Sequence, residues 1–305
     1  MPRFFVPLLL LYLGSSVVRG SAPSIAQLAG PYTTNAVVEQ ELPVQRYKKQ
    51  AIQSVSLSGG WLAAIRSNDL HTSHVKTSIG LGVPLGSFET ILGVTPSFRV
   101  DWIDAASGMD VPSQLFETGV SFFYRKPISE RLSAMAIVTP SIRSDFTTSD
   151  QALRVFGLGL LNWEKVADTL TLSGGVVFLG RADLPVLPAV GLTWTPDVRT
   201  KLDLRFPQAR YSHRLMKEGA KSETWGYCSA GIGGNTWAVT RQSGLTDELS
   251  LRDIRVLCGI EHVTDGGGGW FCEAGFAFAR KIEYERTATE VSLSDGLLLN
   301  AGWNY

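Results

Sequence analysis

The last nine residues constrain this chain more than any other stretch. Counting back by twos from the C-terminus gives Tyr305, Trp303, Ala301, Leu299 and Leu297, all apolar or aromatic. Asn304, Gly302 and Asn300 fill the alternate positions, and only Leu298 breaks the pattern. A β-strand sends successive side chains to opposite faces, so this terminus has one apolar and one mostly polar face. A strand of this kind needs a sheet that divides two environments.

The same period recurs from about residue 53 onward. Segment 115–126 sets Phe116, Thr118, Val120, Phe122 and Tyr124 against Glu117, Gly119, Ser121 and Arg125. Segment 249–262 sets Ile254, Val256, Cys258 and Ile260 against Asp253, Arg255, Gly259 and Glu261. Strands are expected near 53–66, 74–83, 90–102, 115–126, 131–143, 152–163, 168–179, 187–195, 200–206, 222–233, 235–241, 249–262, 269–281 and 293–305. Segments 152–163 and 222–233 carry apolar residues on both sides. Many glycines (31) with few charged residues (18%) suit tightly curved strands rather than helices.

The connections alternate in length. Those near 84–89, 127–130, 164–167, 196–199, 233–235 and 263–268 are mostly short and rich in turn residues. Those near 67–73, 103–114, 144–151, 180–186, 207–221, 242–248 and 282–292 are mostly longer and more polar. Trp163, Trp194, Trp237, Trp270 and Trp303 all fall at the short-connection end of a strand, each on its apolar side, with Tyr305 beside them. Amphipathic rings settle at a membrane interface, so a common depth reads as an aromatic girdle. Core tryptophans of a secreted β-sandwich would explain burial but not the shared end.

At the N-terminus, Arg3 precedes an apolar run from Phe4 to Leu13 and then small residues. The run is shorter than the roughly 20 apolar residues of a membrane helix. It reads as a cleaved secretory signal over residues 1–20, with an N-terminal anchor helix as the alternative. Residues 21–50 lack a period and are expected to form a flexible periplasmic lead or a small plug. Residues 51–305 are then an all-β, up-and-down antiparallel transmembrane barrel of about 14 strands (12–16), even in number, with both termini periplasmic.

An aromatic final residue on an alternating strand resembles the closing strand of a bacterial outer-membrane barrel, the signal read by the insertion machinery. Further stretches resemble an uncharacterised outer-membrane β-barrel family, the domain of unknown function 6268 of planctomycete-type bacteria. They are Phe122 to Pro127, Ser144-Asp145-Phe146, the run from Leu187 to Leu215, Arg252-Asp253, and Phe278 to Glu285. The resemblance spans roughly 95–305. It implies an outer-membrane barrel and offers no assigned activity.

Candidate sites are charges on the polar faces. Asp203, Arg205, Asp253, Arg255, Glu261, Glu273 and Arg280 are expected to face the lumen, because Arg or Lys facing mid-depth lipid costs about 2–4 kcal/mol. They could set a pore's selectivity or close a salt-bridge network that fills a narrow lumen. Arg210, His213 and Arg214 in the expected outer loop 207–221 could capture an anion, or simply be solvated.

Other chemistry is poorly supported. Lys and Arg total 28 and so do Asp and Glu, so no net field points to nucleic acid. Cys228, Cys258 and Cys272 show no Cys-x-x-Cys spacing and read as apolar filler, although Cys258 and Cys272 could meet across a hairpin. Ser212 beside His213 lacks a Gly-x-Ser-x-Gly elbow, and sequence neighbours point to opposite faces of a strand. Asp145 and Asp150 lack calcium-loop spacing, and Gly266–Gly269 lacks the Lys and Ser/Thr of a phosphate loop. No enzyme activity, cofactor or metal is expected. The expected partners are outer-membrane lipid, the insertion machinery and small solutes. A porin-like channel or transporter is the leading expectation. A structural or surface barrel with a plugged lumen is the alternative, and a lipid-modifying enzyme follows.

Overall fold

The computed structural model describes residues 44–48, 50–66, 69–85, 90–179, 186–205, 208–287 and 289–305. The expected signal and most of the 21–50 lead lie outside them. The strands are β1 (Ile52–Ala64), β2 (Leu70–Pro84), β3 (Ile91–Ala105), β4 (Gln114–Pro127) and β5 (Leu132–Ser144). They continue as β6 (Leu153–Val166), β7 (Leu170–Phe178), β8 (Val186–Asp197), β9 (Thr200–Arg205) and β10 (Gln208–Glu218). The last five are β11 (Ser222–Thr240), β12 (Thr246–Thr264), β13 (Gly269–Tyr284), β14 (Thr289–Ser292) and β15 (Gly296–Asn304).

Successive strands pair antiparallel from β1 to β13, and β15 pairs with both β13 and β1, closing the sheet on itself. The four-residue β14 pairs with β13 beyond the end of β15, so the two share one position in the wall. The result is a closed antiparallel barrel of fourteen staves. Closure leaves no edge strand in the wall.

The expected count is met through two offsetting differences. Residues 208–218, read as an outer loop, form β10, with only 206–207 between it and β9. Its alternation is masked in sequence because a histidine interrupts the outward set beside a charged inward set: Arg210, Ser212 and Arg214 turn inward, while Tyr211, His213 and Leu215 turn outward. Conversely, the expected turn at 233–235 lies inside the 19-residue β11. Gly233-Gly234 is a bend there rather than a break, with Gly234 at φ 95°.

The pleat sorts side chains as the period requires. Phe122 faces out while Phe123 is buried within, and Leu297 and Leu299 face out around the buried Leu298. The outer surface is a belt of exposed Val, Ile, Leu, Phe and Trp, the surface that a bilayer's hydrocarbon demands. Three apolar clusters sit inside, a small one of Leu62, Leu257, Ala277 and Leu298 and two larger ones. One joins Phe123, Met135, Ile137, Leu160, Val177 and Ala189 of β4–β8, which explains why segment 152–163 is apolar on both faces. The other lies at the end of the barrel remote from the termini, where Leu70, Ile103, Leu115, Leu249, Ile282 and Tyr284 surround Trp237 and Val239.

That second cluster exists because the tops of β11 and β12 do not continue upward. Beyond Gly234 they fold across the mouth, and Ala238 pairs with Ser144 of β5, a strand on the other side of the barrel. A side chain at Gly234 would need a left-handed backbone and would collide with the Leu251 carbonyl oxygen of β12. Gly234→Ala is therefore expected to cost about 1–3 kcal/mol. It should lower the thermal unfolding midpoint measurably. Gly174→Ala, where a methyl group meets nothing within 4 Å, should leave it unchanged.

Candidate functional site

The inward positions of the barrel form a lumen in two chambers. The lower vestibule opens near the termini and encloses about 1320 Å³, counting the part open to solvent. Its rim carries Arg46, Gly267 and Asn304, and its inner end carries His74, Lys76, Arg99, Arg255 and Asn300. A smaller chamber lies above, bounded by Asp101, Asp253, Arg280 and the cap residue Trp237. Arg99 and Arg255 line both chambers and mark the waist between them.

Part of the charge in the lumen is paired within a strand. Residues two apart share a face. So Arg99 Nε donates to Asp101 at 2.7 Å, Arg255 Nη2 donates to Asp253 at 2.8 Å, and Arg205 grips Asp203 in the same way. Other pairs cross strands or the lumen itself. Arg143 reaches Glu117 at 3.2 Å, and Asn235 of β11 donates to the same carboxylate at 3.0 Å from across the barrel. Arg154 of β6 pairs with Glu248 of β12. Tyr227 Oη and Asn300 Nδ2 both donate to Glu273, at 2.6 and 3.0 Å. Arg280 donates to the backbone carbonyls of Leu70 and Ser294, at 2.7 and 2.9 Å.

The structure places the sequence-derived candidates unevenly. Asp253 and Arg255 reach the waist, and Arg280 supports the upper chamber. Asp203, Arg205, Glu261 and Glu273 line the inner wall, all of them with partners. Arg210 and Arg214 are not outer-loop residues, since both are buried inside β10. Arg210 pairs with Glu261 at 2.7 Å and lies over the Tyr227 ring, and Arg214 is 3.4 Å from Glu223. His213 alone of the three faces outward, 3.2 Å from Thr200 near the terminal end.

Trp163, Trp194, Trp270, Trp303 and Tyr305 stand exposed on the outer surface at the terminal end. Trp237 does not join them. It is 3% exposed at the opposite end, because β11 runs unbroken through the supposed turn and carries it into the cap. Cys228 and Cys258 face each other in register across β11 and β12 and form a disulfide, which neither filler nor a Cys258–Cys272 pair anticipates. A bond closing a separation of 30 residues is worth about 3–4 kcal/mol in the chain-entropy account.

Several lumen residues escaped sequence reasoning. Glu223 gathers Lys217, Arg214 and the Trp225 indole, with Arg46 at 3.7 Å, at the lower rim. Arg46 belongs to the stretch read as flexible lead, yet residues 44–48 are pinned. Gln45 accepts from Gly266 N–H at 2.8 Å, and the Lys48 ammonium lies 3.5 Å over the Tyr305 ring. Nothing periodic marks that segment. Lys76, Arg99, Asp101 and Arg143, by contrast, carry the inward parity of their strands and were open to the same argument as Asp253.

The cap is held from outside the strands as well. Arg241, just past β11, binds Asp110 of the β3–β4 loop and reaches Asp247 at 3.2 Å, and its guanidinium stacks 3.7 Å over Tyr284. Burial pushes the Asp110 carboxyl up, but the Arg241 guanidinium and the Gln242 N–H outweigh it and hold it below the usual carboxylate range. A depressed carboxyl stabilises the closed cap above its unfolded pKa of about 3.9, and that contribution is lost as pH falls through the lower folded value. Tryptic cleavage after Arg241, measured relative to an unstructured control peptide at each pH, should thus stay slow and constant from pH 8 to pH 5. Asp110→Asn should speed it severalfold at every pH in that range.

With this geometry in place, a family profile described as a domain of unknown function, DUF6268, matches residues 104–222. No curated protein matches the chain by sequence. Among solved structures, the TodX monoaromatic hydrocarbon channel (a deltaS2 mutant) aligns at 9% identity over 82% of this chain and 88% of its own, TM-score 0.43. OccK5 (OpdH) of Pseudomonas aeruginosa aligns at 10% identity over 87% and 100%, TM-score 0.30. A Rhodopseudomonas blastica porin mutant aligns at 10% over 83% and 100%, TM-score 0.30. All are distant likenesses of architecture.

Proposed function

We propose that this protein is an integral outer-membrane barrel channel for small solutes, closed at its outer mouth by the folded-in β11–β12 hairpin. The observation that carries this reading is a pair of cavities inside the barrel that share Arg99 and Arg255 in their linings. A wide vestibule leads to a waist at Arg99 and Arg255, and a second chamber follows. A scaffold with no cargo would not need two chambers in series that share charged side chains at their junction. On this reading the termini are periplasmic, and the tryptophan-rich end lies at the inner interface.

The cap is a separable part. It is one hairpin top whose partners on β4, β5 and the β3–β4 loop are side chains and a single strand bridge rather than a full ladder. A rearrangement of that hairpin opens the path without breaking the wall. The second reading, a structural or surface barrel with a sealed lumen, is favoured by one observation: cross-lumen bonds such as Arg154–Glu248 tie opposite walls together.

Planar-bilayer recording separates the two. The refolded wild-type protein is expected to show rare, brief openings. Replacing residues 236–247 by a short Gly-rich turn should give a steady current at least tenfold larger. A shortened protein that inserts and still passes no current would leave only the sealed barrel.

Assembly offers a second test, because the aromatic terminus is the feature we assign to recognition by the insertion machinery. Tyr305 is exposed on the outer face, whereas Asn304 points inward, accepting from Ser56 and donating to the Gly267 carbonyl, both at 2.8 Å. Tyr305→Asp should reduce the yield of heat-modifiable barrel in membranes severalfold more than Asn304→Asp. Equal yields would remove the outer-face register as the recognition signal.

A further inference from the structure

We infer that the waist of the lumen is a binding site for a small oxyanion, built around Lys76. The inference rests on the channel reading for its biological use, but the site is defined by its own geometry. Antiparallel register places Lys76 directly opposite Arg99, Arg99 opposite Glu117, and Glu117 opposite Arg143, in one row across β2–β5. Like charges directly opposite each other on neighbouring strands are destabilising unless something neutralises them.

Glu117 and Asp101 attract Lys76, but each is already engaged by a guanidinium group. Arg99 is bound to Asp101, Glu117 to Arg143 and Asn235, and Arg255 to Asp253. Three carboxylates are thereby matched with three guanidinium groups. Lys76, which turns into the vestibule, has no ion pair among the described residues. By formal charge, the waist therefore holds one cation in excess.

The surface just below it supplies what an oxyanion needs besides charge. Ser56, Ser78 and Ser97 lie in register, one row nearer the termini than the Lys76–Arg99 row. Thr95 and Ser54 follow, and all but Ser97 line the vestibule. Gly80 keeps this floor open, since a side chain there would collide with the Ser54 hydroxyl. An ammonium with three rotatable donors above a bed of hydroxyls matches the several acceptor lone pairs of a carboxylate or phosphate. A bare halide would use the charge but leave the hydroxyls without an acceptor of matching shape.

The test uses the full-length protein refolded in detergent. Inorganic phosphate, succinate and chloride are titrated by calorimetry into wild type, Lys76→Gln, and Lys165→Gln, the last removing an exposed cation at the lower rim. Saturable binding of phosphate or succinate should appear in wild type, weaken at least tenfold in Lys76→Gln, and persist in Lys165→Gln. Comparing the phosphate and succinate arms identifies which oxyanion the waist prefers. Chloride should show no saturable binding. In parallel, reversal potentials in a salt gradient are measured on the hairpin-shortened barrel with and without Lys76→Gln, which should shift selectivity away from anions.

The two readings fail differently. A current unaltered in selectivity by Lys76→Gln, together with no saturable oxyanion binding, would overturn the site and leave the channel standing. Binding that Lys76→Gln abolishes, in a shortened protein that passes no current, would keep the site and overturn the channel.

Discussion

The seam between β1 and β15 is the interaction on which the rest of this structure depends. In hydrocarbon each unpaired backbone N–H or C=O costs several kcal/mol, so a sheet can cross only if it has no edge. Nine register pairs, from Ser56–Asn304 to Ala64–Gly296, join the first strand to the last. That requirement explains why the C-terminal strand is so regular and why its outward residues are the apolar set. It also explains how one sheet can carry apolar residues outside and guanidinium groups inside.

Closure creates a second problem, since a fourteen-stave wall encloses more space than its own inward side chains fill. The chain meets it differently along the axis. Near β4–β8 an apolar cluster occupies the wall, and at the terminal end Arg46 enters beside Glu223 and Glu261. At the far end the β11–β12 hairpin folds over and buries Trp237. What remains between is polar and cationic at its narrowest point. Three Arg–Asp pairs on alternate positions let the wall carry buried charge without a net field, because each guanidinium has its carboxylate on the same face two residues away. Lys76 stands out against that pattern.

The hairpin links fold and function. The cross-strand disulfide Cys228–Cys258 fastens β11 to β12 below the bend, so the two strands move together where they lean over the mouth. Above the bend the hairpin docks through the buried apolar cluster around Trp237 and Val239 and through polar contacts centred on Asp145, Asp110 and Arg241. On the proposed channel reading, gating requires this rigid arm to leave both sets of contacts together.

The sequence by itself determined the class of fold and, for most strands, the face turned outward, because a period of two is local and needs no partner to be seen; the count of fourteen is met only because a missed β10 and a divided β11 cancel. Segments such as 115–126 and 297–305 could be read residue by residue. It also marked Asp253 and Arg255 as inward charges. Tertiary structure alone decided the rest. β10 was invisible because its inward face is charged and its outward face is interrupted by His213, which meets Thr200 at the lower rim. Gly233-Gly234 spells a turn in any local reading, and only the docking of Trp237 against Leu70, Leu115 and Ile282, up to 167 positions away in sequence, makes it a bend. The waist has the same origin. Lys76, Arg99 and Arg255 come from strands far apart in the chain, and whether a lumen charge is matched or left over depends on register across strands, which no single segment encodes.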